Sequence, residues 1–472
     1  MELNKLNVIN AVNGYKNNQF TAREMVEDCI KRCEEIKGKN AVIEVFSDAL
    51  ELARLLDEKK EKGLPLGKLA GVTVMIKDNI LFEGKKATAC SKFMQNFVST
   101  YTATALQKMI EEDAIVIGRT NMDEFCMGSD GESSVYGASK NAFGDERIAG
   151  GSSGGSAVAV ALDACTVALG SDTGGSARKP ASYNGVVAVK PFYGTVSRHG
   201  LYSLASSLDQ IAPICKNVSD TAYVLSIISG TDEMDMSSTK ESCIDYCFDE
   251  RENLNGVTVA VEKSVVELIK GKECEKPFLS LVENLKRAGA EIKEIEIENL
   301  CYVKDVYDLI SVSEASSNFA RFDGIKYTTR TENPVSANEL YKKSRSEGFN
   351  EKVKLNIMLG NYVLSSGKAY QTAKNLQQLI INNTKKALEG VDLLIMPTVF
   401  SEAPIKGETA DREESILTVF ANIVKAYAIN VPFATGENKL PLGVQVCALE
   451  NKYKNLFITA NFIEKNYKGG RN

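Results

Sequence analysis

The segment from Gly150 to Pro180 carries two loops rich in Gly and Ser, separated by a run of small apolar residues. It holds seven glycines, which is too many for an ordinary element of a protein core. Gly accepts positive φ and lets other groups approach the backbone closely, although it costs stability inside regular structure. Two such loops indicate a site where backbone N–H groups and serine hydroxyls face a substrate.

A serine nucleophile at this site is not expected to use the usual imidazole base, because the chain contains a single His, His199. The G-x-S-x-G pattern around Ser153 matches the nucleophile elbow of α/β-hydrolases, but that elbow needs a His partner. The same loop lacks the G-K-[ST] ending with which phosphate-binding loops hold a nucleotide. Both interpretations are therefore weak.

Lysine is the remaining candidate base, and two lysines come into question. Ser176 and Lys179 match the S-x-x-K pattern, but Pro180 follows directly, so a turn there does not place Lys179 one helical turn from Ser176. Lys77 ends an apolar run at 72–76 that predicts a buried strand, and burial lowers a lysine pKa from about 10.4. A lysine at a strand end can also reach solvent. Position alone leaves these two interpretations of Lys77 equal.

Composition excludes several classes of protein. The 472 residues are 44% hydrophobic and 25% charged, as in globular proteins, and the net charge of −6 argues against direct nucleic-acid binding. The N-terminus carries no signal pattern, and no apolar run reaches membrane-spanning length. The eleven Cys include no C-x-x-C pair, and with one His they predict free thiols in the cytoplasm rather than a zinc site.

The organisation of the chain predicts an α/β fold. Residues 1–66 predict a helical segment packed on the core, with a capping box at Thr21–Glu24, and residues 67–472 predict the remainder of a single compact domain. Apolar strands then alternate with helices, which predicts a mixed, largely parallel central sheet covered by helices on both faces. The predicted strands lie at 72–76, 114–118, 165–170, 257–261 and 391–396. Helices are predicted at 103–112 and after Ser156, and surface excursions at 231–255, 325–350 and 399–414.

Long motifs resemble the amidase signature family over nearly the whole chain. The motifs that carry this resemblance are Gly71–Asn79, Gly150–Ser156, Gly170–Arg178, Lys190–Gly200 and Ala205–Gln210. Three others are similar to the tRNA-linked glutaminase branch of that family, which comprises the A subunits of the aspartyl/glutamyl-tRNA amidotransferases; they are Gly118–Gly128, Ser313–Gly324 and Arg345–Phe349.

The resemblance implies an amidase fold and a Ser–cis-Ser–Lys triad. In it Ser176 is the nucleophile, Ser152 the bridging hydroxyl and Lys77 the base. The resemblance further implies an oxyanion hole, supporting residues and a substrate pocket; the expected positions are Thr173, Gly174, Gly175 and the Ser176 N–H, then Ser153, Asp172 and Arg178, then Met127, Gly128 and Tyr307. The implied reaction is acyl transfer from a small-molecule carboxamide, with no metal and no cofactor.

The chain departs from the glutaminase branch where those relatives hold glutamine. Asn356 stands where they usually have the Arg that binds the α-carboxylate, and Ile423 is aligned with the Asp that meets the α-amino group. The segment 426–436 is also aligned as shorter. Lys179 replaces a usual Gln, and His199 replaces an aromatic residue. Loss of both charged groups predicts a substrate other than free glutamine.

Three hypotheses follow. The chain is a diverged amidase acting on another carboxamide, alone or with a pathway partner. Alternatively it is a working glutaminase subunit with partner amidotransferase subunits, or a non-catalytic scaffold that keeps the fold. The complete set of Lys77, Ser152 and Ser176 argues against the scaffold.

Overall fold

A computed structural model describes residues 2–241, 243–408, 411–449 and 452–467. The strands are β1 Val42–Val45, β2 Thr73–Lys77, β3 Ile115–Thr120, β4 Val167–Asp172, β5 Val187–Lys190, β6 Gln210–Cys215, β7 Thr258–Glu262, β8 Glu291–Ile295, β9 Leu393–Pro397, β10 Tyr427–Thr435 and β11 Pro441–Ala448. They form one eleven-stranded sheet in the order β1-β3-β2-β4-β6-β5-β10-β11-β9-β7-β8.

Helices surround this sheet. They are α1 Val8–Lys16, α2 Ala22–Glu35, α3 Ala49–Glu61, α4 Thr104–Glu111, α5 Gly154–Ala161, α6 Arg178–Tyr183, α7 Val218–Ile228, α8 Lys263–Leu268, α9 Glu275–Arg287, α10 Val303–Asn318, α11 Ala337–Gly348, α12 Glu351–Ser365, α13 Ala369–Ala387, α14 Ser415–Ile423 and α15 Tyr453–Asn466. Every residue of β2, β3 and β4 is buried, as expected for strands covered on both faces. Across the described ranges, no helix combines the length and apolarity needed to cross a bilayer.

The sheet is mixed, as predicted, but its parallel part is smaller than expected. Parallel pairing joins β2 to β3 and β4, and β7 to β8 and β9. The other six pairings among the described strands are antiparallel. Strand direction depends on how each connection crosses the sheet, which the apolar runs alone do not encode.

The N-terminal segment is helical except for β1, which the sequence analysis missed. The predicted capping box is confirmed: Thr21 accepts the backbone N–H of Glu24, and Glu24 accepts that of Thr21. β1 pairs with β3 at the edge of the sheet, and its four residues are only partly buried. Side chains of α1, α2 and α3 belong to the same hydrophobic core as β2 and β3.

The predicted surface excursions are more structured than expected. The segment 325–350 contains α11, whose N-cap Ser336 accepts the backbone N–H of Glu339. Ile244, Tyr246 and Leu254 of segment 231–255 are buried in the main core. These segments are polar on average, yet a few apolar residues anchor them.

The carboxyl ends of β2 and β4 bring the Gly150–Pro180 segment and Lys77 together. These strands are parallel neighbours, with Ile76 opposite Leu169, so both end at the same edge of the sheet. α5 begins at Gly154 and packs on β4, which places the first Gly/Ser loop at that edge too. Parallel pairing at this point is therefore the feature of the fold that assembles the site.

A buried ion pair holds the second Gly/Ser loop to distant parts of the chain. Arg178 and Asp172 are fully buried, and the guanidinium donates to both carboxylate oxygens at 3.0 and 2.9 Å. Arg178 also donates to Gln445 Oε1 on β11, and to Asn422 Oδ1 and Thr418 O on α14. The pair thus joins β4, α6, α14 and β11.

We expect Asp172→Asn to lower the free energy of unfolding by about 3–5 kcal/mol, because it leaves the Arg178 guanidinium buried without a counterion. The matched control is Glu51→Gln, which removes one of the two exposed carboxylates paired with Arg54 and is expected to leave stability unchanged. Urea unfolding of the three proteins measures the effect. A loss below about 1 kcal/mol in Asp172→Asn would contradict this role for the pair.

Candidate active site

Lys77 occupies the end of β2 and is fully buried. Its Nζ lies 2.7 Å from Ser152 Oγ, 2.9 Å from Ser153 Oγ and 2.8 Å from Ser171 Oγ. Burial lowers the pKa of Lys77, and the nearby acidic groups, including the Cys126 thiol, oppose this only in part. The lysine that could have reached solvent is therefore enclosed among hydroxyl groups.

Two of these three hydroxyls, those of Ser153 and Ser171, are held in position by further hydrogen bonds. Ser153 Oγ donates to the Ser171 carbonyl oxygen at 3.0 Å and accepts the Ser171 N–H at 3.2 Å. Ser171 Oγ accepts a further hydrogen bond from Asn79 Nδ2 at 3.1 Å. The third hydroxyl belongs to Ser152, whose peptide bond with Gly151 is cis.

Ser176 lies in the second Gly/Ser loop and lines the main cavity, where it is partly exposed. Its carbonyl oxygen accepts the Ser153 N–H at 2.9 Å, which fixes the two loops against each other. Asp172 accepts the N–H groups of Gly175 at 2.9 Å and Ala177 at 3.3 Å. The loop is therefore shaped from within by a buried carboxylate.

These hydrogen bonds narrow the expected set of oxyanion donors. The Gly175 N–H was expected among them but is engaged by Asp172. Within the described residues, the backbone N–H groups of Thr173, Gly174 and Ser176 have no protein acceptor. Of these residues, Gly174 and Ser176 line the cavity, where a free N–H is available to an oxyanion.

Two glycines of this loop are required by close contacts. A Cβ on Gly174 would lie 2.5 Å from the Tyr307 hydroxyl oxygen. Gly175 has a φ of +108°, and a Cβ there would lie 2.4 Å from Thr418 Cβ. Gly at both positions lets α10 and α14 pack directly onto the loop.

The Asp172 carboxylate stays ionised despite its burial. Burial raises the pKa of Asp172, but the charge and hydrogen bonds of Arg178 outweigh it and hold that pKa well below its usual range. A permanent negative charge therefore lies behind the loop and accepts its N–H groups.

A cavity of about 470 Å³ opens in front of Ser176. Its walls come from the Gly/Ser loops, from the turn after β3, and from α10, α12 and α14. Four residues expected at the substrate line it, namely Met127, Gly128, Tyr307 and Asn356. The volume lies within the range of pockets that accept small organic ligands.

Ile423 does not line the cavity, which corrects the sequence-based expectation. Its side chain is fully buried in the main core, at the last turn of α14. α14 instead presents Ser415, Thr418 and Val419 to the cavity, at the i, i+3 and i+4 spacing of one helix face.

Each charged side chain that lines the cavity forms an ion pair. Lys179 pairs with Glu414 at 2.9 Å, Lys304 pairs with Asp308, and Asp411 pairs with Lys272 at 2.8 Å. Lys352 lies 3.4 Å from Asp130. The cavity wall is therefore charge-balanced.

The positions of Lys179 and His199 argue against either residue as the base. Lys179 Nζ is engaged by the Glu414 carboxylate at 2.9 Å. His199 lies outside the cavity, where its ring stacks on Tyr101 at 4.8 Å and its Nδ1 contacts Thr104 Oγ1 at 3.2 Å. Neither side chain reaches the serine hydroxyls around Lys77.

Sequence reasoning missed several residues of the site. Ser171 is the third hydroxyl at Lys77, and its place at the end of β4 could have been inferred from the strand that precedes the second loop. Thr418 Oγ1 donates to Gly174 O at 2.9 Å, and Asn422 Nδ2 donates to Asp172 Oδ1 at 3.0 Å. These α14 residues carry no local signal, because only the tertiary fold brings them to the loop.

Known proteins are similar to this chain over nearly its whole length. The amidase family profile matches residues 24–456. The A subunit of glutamyl-tRNA(Gln) amidotransferase from Fusobacterium nucleatum is 40% identical over 460 residues, covering 96% of this chain and 94% of that protein. The crystal structure of the corresponding Thermotoga maritima protein has a TM-score of 0.79 at 33% identity, covering 99% of this chain and 96% of that one.

A more distant likeness concerns the fold alone. The peptide amidase of Stenotrophomonas maltophilia has a TM-score of 0.85 at 23% identity, covering 98% of this chain and 97% of that one. The family match and the 40% identical relative carry the assignment beyond the fold. The chain therefore belongs to the amidase signature family and is an enzyme that acts on amide C–N bonds.

Proposed function

We propose that this enzyme hydrolyses a carboxamide through a Ser176 acyl-enzyme, with Lys77 as the base and Ser152 as the bridge between them. The observation that carries the proposal is Lys77, which is buried, has a lowered pKa and lies 2.7 Å from Ser152 Oγ. A neutral amine has two N–H donors and one lone pair. It can therefore donate to two of its hydroxyl neighbours and accept a proton from the third.

The reaction balances as two acyl transfers. Ser176 Oγ attacks the amide carbon, its proton passes to Ser152, and the Ser152 proton passes to Lys77. The C–N bond then breaks, and the leaving nitrogen takes a proton back along this route and departs as ammonia or an amine. Water attacks the Ser176 ester by the same proton path, which releases the carboxylic acid and restores the serine.

The free N–H groups of the second loop are suited to the developing oxyanion. Gly174 and Ser176 offer backbone donors at the cavity wall, and the Thr173 N–H precedes them in the same loop. The loss of one such donor typically raises the barrier by about 3–4 kcal/mol. No metal or cofactor enters this proposal.

The substrate we propose is an uncharged carboxamide rather than free glutamine. Glutamine is a zwitterion, and each charge-assisted hydrogen bond to it contributes about 1.5–3 kcal/mol. The cavity offers Asn356 on α12, where the resemblance leads us to expect Arg, and Ser415 at the start of α14. The charges that remain in the wall are already paired.

The second candidate is a glutaminase subunit, and the similarity to the A subunit of glutamyl-tRNA(Gln) amidotransferase favours it. In that case glutamine would be held by other contacts, and partner subunits would use the ammonia. A scaffold without activity is disfavoured by the intact cluster at Lys77. A cytoplasmic location is part of either proposal, since all eleven Cys are free thiols.

Lys77→Ala should lower kcat by about 10²–10⁴-fold, because it removes the general base. Lys179→Ala should cost far less, since Lys179 is an ion-paired wall residue. Ammonia release from a panel of neutral primary amides measures both. The reverse ranking would revive Lys179 as the base.

Ser176→Ala should abolish turnover while the protein remains folded, because no acyl-enzyme can form. Ser365→Ala, on the exposed end of α12, is the control and should retain activity. Ammonia release and circular dichroism of both variants make the test. Near-wild-type turnover by pure Ser176→Ala protein would remove the proposed nucleophile.

Asn356→Arg combined with Ser415→Asp should raise kcat/KM for glutamine at least about tenfold, because it returns two opposite charges to the cavity wall. The control is Asn356→Arg with Ile423→Asp, which buries an unpaired carboxylate in the core and should destabilise without gain. Efficient glutamine turnover by the unmodified enzyme would instead favour the glutaminase subunit.

A further inference from the structure

Asp209 is a buried carboxylate that joins the oxyanion loop, residues 173–176, to the segment at Leu204, which also borders the cavity. It immediately precedes β6 and is 2% exposed. Its Oδ1 accepts the Thr173 hydroxyl at 2.7 Å. Its two oxygens also accept the backbone N–H groups of Leu204 and Ala205, at 2.9 to 3.1 Å. Leu204 lines the cavity, and Thr173 begins the loop that carries Ser176.

Asp209 differs from the other carboxylate at this loop. Asp172 is neutralised by Arg178, whereas no cation forms an ion pair with Asp209 in the described part of the chain. The charge of Arg198 lowers the pKa of Asp209, but the Arg198 guanidinium itself forms an ion pair with Asp235 at 3.0 Å. Asp209 is therefore held by hydrogen-bond donors alone.

The ionisable groups that face Asp209 come from three parts of the chain. They are Arg198 and Tyr193 of its own loop, Tyr307 of α10 and Cys126 of the turn after β3. Burial raises the pKa of both tyrosines and of the thiol, so these groups are neutral near pH 7. Arg198 is thus the one permanent charge among them.

We propose that Asp209 is a positioning residue that holds the oxyanion loop through Thr173, and that it does so as a carboxylate. The inference rests on the proposed acyl-enzyme function and adds to it a residue that fixes the position of the loop. Every contact of Asp209 named above is a donor. A proton on Asp209 would remove the charge that strengthens these hydrogen bonds, and it would either displace a backbone N–H or turn the Thr173 hydroxyl from donor to acceptor.

The direction of the pH dependence follows from the burial of Asp209. Burial raises the pKa of Asp209 to about 7, against the hydrogen bonds from Thr173, Ala205 and Leu204. The competent, ionised form is therefore lost as pH falls through about 7. Lys77 must also lose a proton to act as a base, so two groups shape the acid side of the kcat profile.

The test is a double-mutant cycle of Asp209→Asn and Thr173→Val, with Thr173→Ser as the conservative control. Asn resembles the protonated acid, since it offers one acceptor and one donor. Each single variant should lower kcat by about 10–100-fold with KM within threefold, and the double variant should be no worse than the poorer single. Thr173→Ser keeps the hydroxyl and should remain close to the wild type.

The pH profile separates positioning from a merely structural effect. On the acid side, log kcat of the wild type should rise with a slope above one per pH unit, because two protons are lost. In Asp209→Asn the slope should fall to one, with only Lys77 titrating.

Four results would overturn the inference: single variants within twofold of wild type, effects that multiply in the double variant, a Thr173→Ser variant as poor as Thr173→Val, or an unchanged acid slope. If Asp209→Asn does not fold, the Thr173→Val and Thr173→Ser pair decides. Ser176→Ala assayed in parallel keeps the two proposals distinguishable. An inactive Ser176→Ala beside active Asp209 and Thr173 variants rejects only the positioning residue, whereas an active Ser176→Ala rejects the acyl-enzyme itself.

Discussion

Lys77 Nζ lies sealed from solvent among three hydroxyls, and in the described part of the chain no carboxylate forms an ion pair with it. An unpaired ammonium is disfavoured in a protein interior, and burial accordingly lowers the pKa of Lys77. α5 acts in the same direction, because its positive N-terminal end begins two residues after Ser152 and opposes a nearby cation. The buried amine needs hydrogen-bond partners, and Ser152, Ser153 and Ser171 supply them. Ser171 reaches Lys77 because it lies near the end of β4, which runs parallel to β2. Ser152 and Ser153 reach it because the loop before α5 folds back over the ends of these two strands.

The other buried basic residue of the site, Arg178, is paired with a carboxylate. A guanidinium keeps its proton in proteins, so Arg178 requires the acid that β4 supplies in Asp172. That pair builds the loop: the carboxylate accepts Gly175 and Ala177, while the guanidinium reaches α14 and β11. Lysine is the residue whose charge can be removed by burial, and arginine is the one whose charge persists. Lys77 is therefore suited to proton transfer, whereas Arg178 is suited to holding the loop in place.

The parts of the site that lie close in sequence could be predicted, and the remote parts could not. Lys77, Ser152 and Ser176 belong to motifs whose strand ends and loops have clear local signals, and β2 and β4 lie within two residues of the predicted strands. Ile423 was misplaced because the cavity face of α14 is set by tertiary contacts, such as the hydrogen bond from Asn422 to Asp172. β1 was missed because its four half-buried residues give no pattern distinct from the helices around them. The excess of antiparallel pairs depends on connections that cross the sheet, which residue patterning does not record.

The separation of local and remote parts also explains how substrate preference can change while the chemistry is kept. The amine, its hydroxyls and the oxyanion loop are built by residues 73–77 and 150–178, whereas much of the cavity wall comes from α10, α12 and α14. A change of side chain on these helices, for example at Asn356, would alter the field in the cavity without touching Lys77. A charged ligand would now have to compete with Glu414 for Lys179, or with Asp308 for Lys304, and each exchange would leave one partner unpaired. An uncharged amide requires no such exchange, and our proposal of such a substrate rests on this difference.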